Sequence, residues 1–219
     1  PDSYVIWFRP LVDSSFVQIA ETAGTSCIHN PLGMTGEYKV AARFGSDVYE
    51  AATLATTVPV HCSTRTLAEL DAPGNSGYGW SRDSGFGRSY SMRQAGSASY
   101  VDFYVTDFHT GSYTLPYCIA SPHMGPSDPS GLVPVAGWRR SGITDSLPRS
   151  QSPLPAIDSA YYFNYSPIAR TPSRFGVYSV ADDHYAMVQV TRVDAATGAV
   201  DIESWFQLVP GLRLIAHRW

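Results

Sequence analysis

The chain has 219 residues, a net charge of −4, and a composition that is 44% hydrophobic but only 16% charged. No basic tract stands out, which argues against nucleic-acid binding through a charged patch, and no apolar run reaches the roughly 20 residues of a membrane span. The length is enough to bury a core without metals or disulfide staples, and 18 Gly, 16 Pro and 14 Tyr point to a turn-rich chain with few long helices.

Taken in order, Ser3–Arg9 and Ser15–Ala20 are short strand candidates dominated by Val, Ile, Trp and Phe, the first broken by Arg9-Pro10. A Gly- and Pro-punctuated loop follows, then a strand candidate, Glu37–Phe44. "SDVYEAATLATT" predicts a short helix capped by Ser46 or Asp47, and "STRTLAEL" a second one capped by Ser63. Between them "TVPVHC" reads as an extended edge segment, since Pro59 cannot donate to a central ladder.

Asp71–Gly96 is a long Gly/Ser/Arg-rich stretch, read as a binding loop or a flexible surface loop. "ASYVDFYVTD" alternates with period two, with Val101, Phe103 and Val105 on one side, and predicts a half-buried antiparallel strand. Ser112–Ala120 returns as its hairpin partner. A second Pro/Gly/Ser-rich region, Ser121–Pro155, marks a possible subdomain break or an arm over a neighbouring subunit. Beyond it, Ala160–Tyr165, Phe175–Ala181, His184–Val193 and the segment "AVDIESWFQL" read as strands, and "LRLIAH" closes the chain. In "AVDIESWFQL", Val200, Ile202 and Phe206 share the core face and Trp205 is placed on the surface. The expected fold is a single all-β domain spanning residues 1–219, an antiparallel β-sandwich or jelly-roll-like body with long Pro/Gly/Ser-rich loops and one or two short helices.

Several constellations invite a chemical reading. Asp107 and His109 end an apolar strand as Asp-x-His, and "TDFHTG" resembles the first motif of the metallophosphoesterases. The Gly-Asp and Gly-Asn-His segments that a two-metal site needs do not follow, so the pair is read as a polar turn and no metal is expected. "GNSG" around Ser76 resembles the nucleophile loop of chymotrypsin-like proteases, with His61 as the candidate base. The 15-residue separation is too short for that two-barrel fold. Asp182-Asp183 reads as a turn. Cys27, Cys62 and Cys118 cannot all pair within the chain, and no Cys-x-x-Cys occurs.

Residues 160–208 resemble the C-terminal part of the secreted, haem-scavenging HmuY-like proteins, through an aromatic pair, an acidic-tipped turn and an aromatic-ending strand. That resemblance implies a haem binder with His184 or His109 as ligand. The residues themselves favour a different function. With no complete catalytic set and no cofactor site, and with aromatics and arginines concentrated in long loops, the expectation is a non-enzymatic structural or interaction protein. It would be a subunit of a homo-oligomer or larger assembly such as a viral capsid or capsid-surface protrusion, on a virion surface or outside the cell. The expected protein-interface residues are Tyr78, Trp80, Arg82, Phe86 and Arg88 in the first loop, with Trp138, Arg139 and Arg140 in the second.

Overall fold

The computed structural model describes residues 1–108, 117–134, 137–158 and 160–215. Nearly all of the ordered structure is antiparallel β, as the sequence predicts, with two short 3₁₀ turns, Ala95–Ser97 and Pro122–Ser127. The described residues form two compact units that meet in sequence at Pro59 and Val60, away from the 121–155 stretch where composition placed a break.

The first unit is one antiparallel sheet. Strands β1 (Ser3–Pro10), β2 (Val17–Thr22), β3 (Gly36–Phe44) and β4 (Asp47–Glu50) lie in the order β2-β1-β3-β4, and β5 (Ala55–Thr56) also pairs with β3. The register puts Tyr4, Ile6 and Phe8 opposite Ala42, Val40 and Tyr38. The alternate positions hold buried Val5 and Ala41 and then charges, where Arg9 pairs with Glu37 and the Lys39 ammonium sits 4.8 Å above the Trp7 ring. The helix expected over 46–57 does not form. Phe44 lies opposite Asp47, so Gly45 and Ser46 make a two-residue hairpin turn, with Gly45 at φ +57 in its first central position. Val48 and Tyr49 then favour the strand.

The second unit is a sandwich. Its six-stranded sheet runs β12-β11-β14-β15-β16-β6 and its five-stranded sheet β13-β10-β9-β7-β8. The strands are β6 (Val60–Ala68), β7 (Gly77–Trp80), β8 (Gly87–Tyr90), β9 (Phe103–Thr106), β10 (Cys118–Ala120), β11 (Ser141–Thr144), β12 (Tyr162–Phe163), β13 (Tyr165–Pro167), β14 (Ser173–Ser179), β15 (His184–Asp194) and β16 (Ala199–Phe206). Tyr78, Trp80, Phe103, Val105 and Ile119 from one sheet meet Phe175, Val177, Val188, Val190, Val200, Ile202 and Phe206 from the other. Ser204 on β16 bridges them, taking the Trp80 indole N–H at 3.1 Å and lying 3.0 Å from the Tyr78 hydroxyl.

Three departures from the sequence reading define this unit. The helix expected over 63–70 is the end of β6, held along β16, and a bulge opposite Ile202/Ser204 turns both Cys62 and Leu67 inward although they are five residues apart. The Asp71–Gly96 stretch contains the β7–β8 hairpin, whose glycines allow close packing: a Cβ on Gly79 would lie 1.8 Å from the Tyr100 carbonyl oxygen, and one on Gly87 as close to the Tyr78 hydroxyl. Strand β9 is buried on both sides, because each sheet carries a second apolar cluster on its outer face. Met92, Val101, Val133 and Trp138 cover the five-stranded sheet at Tyr104 and Ala120. Leu147, Leu154, Tyr162 and Ile215 cover the six-stranded sheet at Tyr178, Tyr185, Met187 and Trp205.

Trp205 is therefore core, 2% exposed, and not a surface residue; residues 212–215 are coil. Replacing Trp205 with Ala should remove about 3–5 kcal/mol of stability, read as a lower urea midpoint at unchanged slope. A change below about 0.5 kcal/mol, the range of ordinary surface substitutions, would contradict this packing.

Candidate interaction surface

The eight residues expected at a contact surface separate into three groups. Tyr78, Trp80 and Trp138 are buried, the first two between the sheets and the third in the outer cover, where its indole N–H donates to the Pro134 carbonyl at 3.0 Å. Their apolar area is spent inside the unit, which corrects the contact role expected of them. Arg82 and Arg139 belong to an internal charge cluster. Phe86, Arg88 and Arg140 are exposed.

The charge cluster forms around Asp102, whose side chain is wholly buried. Arg82 binds it with both arms of its fork, at 2.9 and 2.7 Å, and Arg139 adds a bond of 3.2 Å. The Trp80 backbone N–H donates to the same carboxylate at 2.9 Å. Arg82 also reaches Asp182 in the β14–β15 turn at 2.5 Å, the Ser179 hydroxyl at 2.9 Å and the Trp80 carbonyl at 2.9 Å. Its guanidinium lies 5.2 Å over Phe206. Burial would lower the Arg82 pKa, but hydrogen bonds and charge from Asp102 and Asp182 raise it. Burial likewise pushes the Asp182 carboxyl up, while hydrogen bonds from Arg82 and Ser179 and the charges of Arg82 and Arg139 hold it below the ordinary carboxylate range. Bidentate arginine–carboxylate pairs of this kind fix geometry, and here they join the ends of β7, β9 and β14.

The histidine and metal readings meet this framework directly. His184 is 8% exposed, stacks on Phe206 at 5.2 Å and lies 3.6 Å from Asp182, the environment of a packed core imidazole. His109 lies outside the described residues. Asp107 comes close to Glu69 and Asp71, their carboxylate oxygens within 4.8 Å of one another. Glu69, the buried member, accepts the backbone N–H of Asp71 at 2.8 Å and of Asp107 at 3.2 Å, one on each oxygen. Burial raises its pKa, against those two hydrogen bonds and with the charges of Asp107 and Asp71. Ser76 is buried, and His61 stacks on Trp205 with Glu203 3.7 Å away. Among the thiols, Cys27 is exposed, Cys62 is buried, and burial with the nearby Asp107 charge pushes Cys118 up to about 12.

Arg140 follows Arg139 in the chain but turns outward. It lines a hollow of about 350 Å³ with Ile157, Asp158, Phe163, Asn164 and Val180. Its guanidinium has no hydrogen-bond or ion-pair partner among the described residues; the Asp158 carboxylate is engaged by the Ala160 N–H at 2.9 Å. Burial, and then the positive charge of Arg140, hold His123 below the ordinary histidine range. Ile157, Phe163 and Val180 are exposed, as are Tyr161 and Tyr165, which flank Phe163 along the chain. The sequence reading found Arg140 but not these apolar and aromatic neighbours, whose signal was the alternation of aromatics in "YYFNY".

No protein-family model matches the chain, and no curated protein matches it. A solved structure of a DUF4466 family protein from Parabacteroides merdae is similar at 11% identity, covering 94% of this chain and 81% of that one, with a TM-score of 0.48.

Replacing Asp102 with Asn should cost about 3–5 kcal/mol in a denaturant titration, because two arginines lose a buried counter-charge. Since the Asp182 carboxyl is held low in the folded state, its contribution is full above the ordinary carboxylate value of about 3.9 and is lost as pH falls through the lower folded value. Asp182→Asn should flatten the acid limb of stability against pH; an unchanged limb would count against the pairing.

Proposed function

We propose that this protein is a non-enzymatic interaction protein, a subunit of a larger assembly. One observation carries the reading: the hollow around Arg140 gathers an uncommitted guanidinium with exposed Ile157, Phe163 and Val180, and exposed Tyr161 and Tyr165 flank Phe163 along the chain. Aromatics and arginine are the residue types enriched at protein contacts, and a contiguous exposed apolar patch rimmed by polar groups marks such sites. Support also comes from the first unit, which among the described residues exposes large apolar side chains that include Ile28, Leu32, Phe44, Val48, Tyr49 and Leu54. A sheet of this size with a thin core gains stability from what covers it.

Light scattering coupled to size-exclusion chromatography should give a mass that rises with concentration to a multiple of one chain. Phe163→Ala should weaken association about tenfold or more, the effect of losing an aromatic anchor. One-chain mass at every concentration would overturn the proposal.

A further inference from the structure

Two sheet edges in this protein differ in chemical character. The six-stranded sheet ends at β12 and the five-stranded sheet at β13. Two consecutive short strands, Tyr162–Phe163 and Tyr165–Pro167, with a bend at Asn164 between them, are therefore the edges of the two sheets. Natural edges are commonly blunted by charged side chains, yet residues 161–168 read Tyr-Tyr-Phe-Asn-Tyr-Ser-Pro-Ile without a charge. Tyr161, Phe163 and Tyr165 stand exposed along it, and the free charge beside it is the Arg140 guanidinium, which shares the hollow with Phe163 and Asn164.

The other edge is β4, the terminal strand of the first unit's sheet. All four of its residues are exposed. Val48 and Tyr49 present apolar surface, and Tyr49 meets Phe44 edge-on at 5.8 Å. Its two acids differ. Glu50 is taken up by Lys39 at 2.8 Å, whereas Asp47 has no cation partner among the described residues. One edge thus carries aromatics and an unspent positive charge, and the other apolar side chains and an unspent negative charge.

Building on the assembly reading above, we infer that β4 of one copy of the chain adds as a strand to the β12–β13 edge of a second copy, with Asp47 facing Arg140. At about 3.3 Å per residue, β4 is about 13 Å long, against about 7 Å for β12 and about 10 Å for β13, so its four residues reach past either strand and pair across the bend at Asn164. Main-chain hydrogen bonds supply affinity in strand addition and side-chain pockets supply selectivity; the charge pair sets direction and register. The contact joins two different surfaces, so each added copy presents a fresh edge of each kind, and the assembly either closes into a ring or extends.

The test uses reciprocal charge reversal in the full chain, read by light scattering. Arg140→Glu and Asp47→Arg should each raise the dissociation constant about tenfold or more, since each alone sets like charges against each other. Mixed in equal amounts, the two variants should recover assembly, because every contact between unlike copies is again between opposite charges. Both positions are exposed, and matching unfolding midpoints will show that the fold is intact. An oligomer indifferent to either reversal, or a mixture that stays dissociated, overturns this contact and leaves the assembly reading standing. An unmodified chain that is monomeric throughout overturns both.

Discussion

The buried carboxylate of Asp102 is the constraint around which the second unit is arranged. A lone charge in that position would be prohibitively expensive, because it has been removed from water. It is tolerable only with Arg82 on one side and Arg139 on the other, and with the Trp80 N–H completing its shell. Those partners come from the end of β7 and from the segment that precedes β11, and Arg82 carries the network on to Asp182 between β14 and β15. Segments far apart in sequence are thereby pinned to one point. The apolar sandwich supplies most of the stability, but apolar contacts are non-directional; the charges decide which way the connecting segments run.

The long Pro/Gly/Ser-rich stretches take their meaning from the outer faces of the sandwich. A two-sheet body ordinarily leaves those faces to water. Here they are apolar, at Tyr104 and Ala120 on one sheet and at Tyr178, Tyr185, Met187 and Trp205 on the other. The segments holding Met92, Val133, Trp138 and Leu154 lie over them. Their length is thus used within the chain.

Much of the architecture was legible because period-two alternation survives wherever a strand is flanked by one core and one polar face. Val200, Ile202 and Phe206 were assigned to the right face for that reason. The signal failed where a second covering blurred it: β9 and Trp205 are buried from both sides. It fails again at "GYGW", where glycine suggests a loop, although Gly77 and Gly79 make room for Val101 and the Tyr100 backbone while Tyr78 and Trp80 fill the core. Ala-rich 51–55 imitated a helix, but the turn at Gly45 and an open β3 edge took Asp47–Glu50 into the sheet. Of the surface residues, adjacent Arg139 and Arg140 are identical in type, and only the fold shows that one is spent on Asp102 while the other is free.

The coverings also change what a difference in chain length would do. Surface connections usually accept insertions and are the first places a protease cuts. In this protein a cut or an insertion near Met92, Trp138 or Leu154 would peel apolar cladding from a sheet and wet the side chains it covers. Variation in length is better accommodated at Ala195–Thr197, the exposed tip of a turn that closes on the Asp194 carbonyl. Chains that share this scaffold should therefore differ in size at such hairpin tips and keep their apparent loops constant.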